Sequence, residues 1–483
     1  MASLVAITTP FALISSYSTP FELKHAMTLA KVTRVFVHAR FLPILLPIAK
    51  DAGLSSRKIY ILGGRVSGYV SFSDMIDHVR HDSVPRLPVR SARRDTLAYL
   101  VFSSGTSGLP KAVMISHGNL NTALLQTIGL AVETRSIYTP PVIPTPEGIP
   151  IHLAFLPLHH TYGLHAFLFR AFIVPATYVL LGRWSIERAL AAISKHRITN
   201  LPLIPSVVHQ LVNYPGTPNA DLSSVLVVNS GAAYLPPELS EKMTALTKRD
   251  VPVMEGYGMS ECTIAAIAQP YPGILDGRGK HVHGSSGILL PSIEARIIRD
   301  DGTEADYNEP GELWMRGGNI AMGYWNNPKA SRETFLEDGW LRTGDKFRVT
   351  EEGYFFFSDR AKDTLKVSGS QVSPVEIEDV LLAHPAGLIV DATVAGVSGG
   401  RTSDEKVPRA WIVLSPTGKK LGVSNVVREL QSWTEQSLSK YKWLRGGFEV
   451  VPQIPKSPTG KVLRRVLQDK YEQRALKRGK SKL

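Results

Sequence analysis

The chain has 483 residues, 43% of them hydrophobic and 20% charged, with a formal net charge of +13 and a single cysteine, Cys262. That length exceeds what one hydrophobic core serves, so two or more domains are expected, and the composition is that of a globular protein rather than a disordered or fibrous one. One cysteine excludes an internal disulfide framework and fits a reducing compartment. The positive charge does not read as a nucleic-acid surface, because ten Lys and Arg residues against two acids fall within residues 456–483 and no basic groove is interleaved with aromatics.

Residues 5–62 alternate apolar runs with helical patterns. Pro20-Phe21-Glu22-Leu23-Lys24-His25-Ala26 reads as a helix leading to a strand at Val35-Phe36-Val37-His38, the grammar of an α/β domain. Residues 71–94 are polar and mixed and read as a surface connection. The methionine start carries no basic run ahead of its apolar residues, so no secretory signal is expected.

The stretch around which the chain is organised follows. Tyr99-Leu100-Val101-Phe102 is a β-prone run that stops abruptly in Ser103-Ser104-Gly105-Thr106-Ser107-Gly108-Leu109-Pro110-Lys111. Such a turn aims backbone N–H groups and hydroxyls at an anion, and Lys111 adds a mobile cation. It is not a P-loop, since Pro110-Lys111-Ala112 stands where Gly-Lys-Ser or Gly-Lys-Thr would head a helix. On its own it could be an ordinary Ser/Gly surface loop.

Beyond it, Ser116-His117-Gly118-Asn119-Leu120 reads as a helix start and residues 139–150 as an exposed loop. Strands are expected at 151–156, 222–229 and 251–254, running into Pro157-Leu158-His159-His160-Thr161-Tyr162, Ser230-Gly231-Ala232-Ala233-Tyr234 and Glu255-Gly256-Tyr257-Gly258-Met259-Ser260-Glu261. Small-residue turns at the carboxyl ends of strands leave room for a ligand. The apolar window 166–181 is broken by Arg170 and Pro175, so it makes a poor membrane span and is expected to be buried. From residue 291 short strands with Gly and Asp turns suggest a β-rich subdomain. After Phe355-Phe356-Phe357 a charged turn marks a boundary, giving domains over 1–359 and 360–483.

Five separated stretches then have to be explained together: 103–111, Tyr257-Gly258-Met259-Ser260-Glu261, Trp340-Leu341-Arg342-Thr343-Gly344-Asp345, 359–378, and Pro455-Lys456-Ser457-Pro458-Thr459-Gly460-Lys461. In that order they resemble the adenylate-forming, AMP-binding family of acyl-CoA synthetases, coumarate-CoA ligases, luciferases and peptide-synthetase adenylation domains. The resemblance covers nearly the whole chain. It implies an α/β fold: a large N-terminal domain of α/β subdomains plus a β-rich subdomain, and a small mobile α+β C-terminal domain. Family members carry a further α/β portion ahead of what Val5 onward matches, so the resemblance also implies an N-terminally short chain.

The chemistry implied is attack of a carboxylic acid on the α-phosphate of ATP, giving an acyl adenylate, followed by transfer to the thiol of CoA. By resemblance Ser103, Ser104, Gly105, Thr106, Ser107 and Lys111 hold the phosphates, Ser260 touches the α-phosphate and Glu261 binds Mg²⁺. Tyr257 stacks on adenine beside Gly231, Ala232, Ala233, Glu255 and Gly256, while Asp345 and Arg360 take the ribose. Lys461 bridges the carboxylate and the α-phosphate. Lys362 is the hinge, and rotation about it exchanges Lys461 for the segment from Lys366 through Gly369, past which pantetheine runs. Arg197 matches a basic residue for CoA, and His160 and Tyr162 match residues lining the acyl tunnel.

Three positions depart from the family pattern: Ala112 replaces Gly, Tyr234 stands where Pro is usual, and Glu255 replaces Gln. Tyr234 and Glu255 neighbour the expected acyl pocket, so the acid cannot be copied from any one relative. Ser481-Lys482-Leu483 matches a peroxisomal address, which implies an import receptor as a partner. A carrier-protein-loading adenylation enzyme, a luciferase-like enzyme and a shortened non-catalytic nucleotide-binding homologue stay open beside an acid:CoA ligase at this point.

Overall fold

A computed structural model describes residues 1–480 apart from 17, 83, 86, 104–109, 138–142, 144, 248, 361–364, 368–369, 399–405, 439–441, 458–459 and 461. Of residues 359–360, 366–367, 370–371 and 475–480 it describes the backbone. The chain folds as mixed α/β layers, as expected.

The central layer is a seven-stranded sheet. Five parallel strands run in the order Val253–Tyr257, Val227–Ser230, Asn200–Leu203, Ile151–Ala154, Thr177–Leu180, and two short antiparallel strands extend it beyond Val253–Tyr257. Parallel neighbours need crossovers, and helices Ile186–His196, Pro205–Asn213 and Pro237–Leu246 supply them. Their apolar faces close on the sheet through Leu153, Ile193, Ile198, Leu201, Val208, Val228 and Met243, all essentially inaccessible to solvent. Burial of this kind contributes roughly 25 cal/mol per Å² of apolar surface.

Around this layer lie a three-stranded sheet containing Leu97–Ser103 and Lys111–Ser116, and a smaller parallel sheet near the N-terminus built on Val35–His38 and Ile59–Leu62. Helix Pro20–Leu29 begins with a reciprocal cap in which Thr19 and Glu22 bond each other's backbone N–H. The β-rich expectation is met by a four-stranded antiparallel sheet ending in Leu341–Val349 and Phe355–Arg360. The smaller C-terminal part has its own core, where helices Pro374–Leu382 and Val423–Ser437 cover Ile389–Ser398 and Lys406–Leu414.

Three local expectations are corrected. Residues 71–94 are not all connection: Ser71 and Asp74 form a second reciprocal cap and start helix Phe72–His81. The strand expected over 222–229 pairs only at Val227–Ser230, because Asp221 accepts from the Ser223 amide at 3.0 Å and the Ser224 hydroxyl donates to Ile198 O at 2.8 Å. The window 166–181 is not buried throughout. Phe169 is, but Phe172, ending the short helical turn Arg170–Phe172, is 69% exposed, and Leu180, on the edge strand Thr177–Leu180, is 76% exposed. No described helix is long and apolar enough to cross a membrane.

Candidate active site

Beyond the carboxyl ends of the parallel strands opens a cavity of about 1410 Å³. Its wall takes in Ser103, Lys111, His160, Tyr162, Gly231, Ala232, Ala233, Tyr234, Glu255, Gly256, Tyr257, Ser260, Glu261 and Asp345, so residues from five separated stretches share one space. A volume of that order exceeds the few hundred Å³ a single small ligand needs.

Each wall segment has a local reason for its shape. Gly231-Ala232-Ala233 follows strand Val227–Ser230, and Ala232 takes a left-handed φ of +71°, a strain of roughly 1 to 3 kcal/mol for a residue with a Cβ. Gly258 is obligatory, because a Cβ there would lie 1.9 Å from Ile264 O. Gly344, at φ +70°, sits within strand Leu341–Val349 just before Asp345, where the pairing with the neighbouring strand shifts register.

Two hydroxyl–carboxylate contacts hold the polar wall. Tyr257 Oη donates to Asp345 Oδ2 at 2.8 Å, and the Tyr257 ring meets Phe347 edge-on at 4.7 Å. Tyr324 Oη donates to Glu261 Oε1 at 2.8 Å in a buried contact, and Lys111 Nζ sits 4.6 Å above the Tyr324 ring. Lys111 is set opposite Ser103 by the antiparallel ladder of its two strands. A cation, a hydroxyl and a carboxylate thus stand together at the Ser103–Lys111 end of that strand pair. Tyr324 was not legible in the sequence, since its partner lies 63 residues away.

The C-terminal part closes the cavity. Gly460 and Val462, which flank Lys461, line it, as do Asp391, Lys456, Glu378 and Arg464. Lys456 pairs with Asp391 at 2.6 Å and Arg464 with Glu378 at 2.8 Å. Tyr234 reaches across to this part, donating to Asp379 Oδ2 at 2.6 Å, and the His209 ring bonds Val390 O.

Burial sets the protonation of several wall groups. It pushes the Glu255 carboxyl up to about 8. Burial likewise pushes Asp379 up to about 7, against the opposing Tyr234 hydrogen bond. Desolvation lowers His160, and lowers His159 to about 4, so both rings are neutral near pH 7.

Ser104, Gly105, Thr106, Ser107, Lys362, Gly369 and Lys461 lie outside the described residues, as do Ser481, Lys482 and Leu483. Arg360 stands opposite Asp345 in the ladder of Leu341–Val349 and Phe355–Arg360. Lys366 lies opposite Gln371 in a hairpin of the C-terminal part. Arg197 ends helix Ile186–His196 in a left-handed conformation, exposed and not part of the cavity wall. Among the described residues no three His, Cys, Asp or Glu side chains converge as a metal cage. Glu261 therefore fits Mg²⁺ as one carboxylate whose remaining ligands would be phosphate and water, the usual habit of that ion.

Comparison with known proteins gives this cavity its setting. Residues 5–325 match the model of the AMP-binding enzymes and residues 376–461 that of the AMP-binding enzyme C-terminal domain. A probable 4-coumarate–CoA ligase 1 of Dictyostelium discoideum is 36% identical over 78% of this chain and 64% of its own length. The chain thus spans somewhat under two thirds of that relative. The probable CoA ligase CCL5 of Humulus lupulus is 34% identical over 93% of this chain and 77% of its own. Among solved structures, the anthranilate CoA ligase AuaEII in complex with anthranoyl-AMP superposes with a TM-score of 0.79 at 28% identity, covering 96% of this chain and 83% of that one. The chain belongs to the AMP-binding enzymes, the adenylate-forming superfamily.

Proposed function

We propose that this chain is an ATP-dependent acid:CoA ligase, which activates a carboxylic acid as its acyl adenylate and passes the acyl group to CoA. The observation that carries the reading is the convergence on one cavity of Lys111, Ser260, Glu261, Asp345 and the residues flanking Lys461. Two anions must meet in the first step, and the attack is slow unless their charge is offset. Lys111, carried on the strand after the Ser/Gly turn, offsets charge on the phosphates. Lys461 does so where carboxylate and α-phosphate approach. Mg²⁺, when bound at Glu261, supplies further charge neutralisation to the phosphates.

Asp345, held by Tyr257, accepts from the ribose hydroxyls, and Gly231 to Ala233 leave room for the base. The neutral rings of His160 and Tyr162 wall the acyl portion. The thioester step needs Lys461 withdrawn and the Lys366 to Gly369 segment presented, through rotation at Lys362. Incubation with ATP, Mg²⁺, CoA and a panel of aryl, fatty and dicarboxylic acids tests the reading. It predicts AMP and acyl-CoA in equal amounts with at least one class; ATP binding with neither product from any acid would refute it. A peroxisomal destination through Ser481-Lys482-Leu483 belongs to the same proposal. A tagged chain whose location is unchanged by removal of Leu483 would contradict it.

A further inference from the structure

One cation of the cavity wall has no part in the adenylation chemistry. Arg170 follows the helical turns of 161–169, one turn beyond Ala166, and both line the cavity on the stretch continuing from His160 and Tyr162. Its side chain is exposed and lines the cavity. Among the described residues it forms no ion pair or side-chain hydrogen bond. The hydroxyls of Tyr162, Tyr178 and Tyr271 lie close enough to act on it electrostatically.

Its surroundings are ordered. The parallel ladder of Ile151–Ala154 and Thr177–Leu180 sets His152 beside Tyr178, their rings stacked at 5.3 Å, and Phe167 meets Tyr178 edge-on at 6.0 Å. Tyr178 Oη donates weakly to Ala166 O at 3.5 Å, which leaves its lone pairs and geometry free to adjust. His152, Tyr162, Tyr178 and Tyr271 all line the cavity with Arg170. Burial and the nearby guanidinium lower His152 to about 4, so its ring adds no second positive charge.

A planar, permanently charged fork amid phenol hydroxyls is suited to a carboxylate, which it can bind with two parallel hydrogen bonds. An acid with a purely apolar tail would dehydrate the guanidinium and return nothing, a strongly unfavourable exchange. We propose that the acid selected here carries a second carboxylate remote from the one activated, and that Arg170 is the specificity-determining residue that binds it. This rests on the acid-ligase reading and names its substrate class as dicarboxylic acids.

The test compares linear and aromatic dicarboxylic acids of increasing length with monocarboxylic acids of matched length and with the dicarboxylic acids' monomethyl esters. Binding to the full chain is measured by calorimetry, and thioester formation is followed in the same samples. The expected result is binding of one dicarboxylic acid about a hundredfold tighter than its matched monoacid and monoester, the penalty of leaving a built polar site unpaired. Arg170→Met should abolish that preference and Arg170→Lys keep part of it. A monoacid or monoester that binds as tightly as every dicarboxylic acid overturns the proposal from the unsubstituted chain alone, as does a preference that survives Arg170→Met. Thioester formation without charge preference refutes this inference and leaves the ligase reading standing. Charge-selective, Arg170-dependent binding without thioester does the reverse.

Discussion

Tyr257 and Asp345, 88 residues apart in the chain, are joined by a 2.8 Å hydrogen bond that ties the strand leaving the central sheet to the antiparallel sheet behind it. Asp345 is 9% exposed, so the phenol fixes a nearly buried carboxylate at the cavity wall. Tyr257→Phe should therefore weaken ATP by roughly tenfold, the loss of one charge-assisted hydrogen bond at about 1.5 to 3 kcal/mol shared with water that replaces it. Asp345→Ala should weaken it more, and the double variant no further than Asp345→Ala alone. Calorimetric ATP affinities check this; strictly additive losses would separate the two residues.

Glu261 and Tyr324 make the second such pair. Glu261→Gln keeps the hydrogen bond and removes the charge, so the Mg²⁺ concentration for half-maximal activity should rise about tenfold or more. Tyr324→Phe should shift it less. A Mg²⁺ requirement untouched by Glu261→Gln would remove Glu261 from metal binding.

Stability should fall as pH rises across the neutral range. Glu255 and Asp379 have folded-state values raised to about 8 and about 7, above their ordinary 4.5 and 3.8. Between the ordinary and raised values the folded chain holds protons that the unfolded chain has released, so rising pH favours unfolding. For Glu255 the loss accumulates from about pH 4.5 to about 8, on the order of a few kcal/mol in all. Glu255→Gln should flatten the pH dependence of the unfolding midpoint over that window. An unchanged slope would mean that Glu255 is ionised in the folded chain.

Much of the site was legible because its residues cluster in short motifs. Gly258 and Gly344 stand where the backbone admits no Cβ or turns left-handed, and each sits beside residues that line the cavity. What the sequence hid was long-range or irregular. The Tyr324–Glu261 and Tyr234–Asp379 contacts join residues 63 and 145 positions apart, with no local pattern to announce them. Arg170 looked like a blemish in an apolar window, because apolar counting does not distinguish a core from the wall of a cavity. Helix Phe72–His81 had a readable Ser71/Asp74 cap, but its polar composition concealed it.

Tyr234 bridges to Asp379 in the arrangement that sets Gly460 and Val462 at the cavity. Tyr234→Phe should therefore slow adenylation by several-fold and leave thioester formation from supplied acyl adenylate near normal, since under the proposed rotation at Lys362 that step uses the other arrangement. Equal losses in both half-reactions would assign Tyr234 to the acyl pocket instead.

The central claim is that ATP activates an acid at this cavity with Lys461 neutralising the meeting anions. Acid-dependent exchange of pyrophosphate into ATP measures that step alone, compared between the unsubstituted chain and Lys461→Ala. The account predicts exchange that requires an acid and falls on the order of 10² to 10³-fold in the variant, the range typical of removing one electrostatic stabiliser. Exchange that proceeds equally well without Lys461, or none with any acid while ATP still binds, would contradict it.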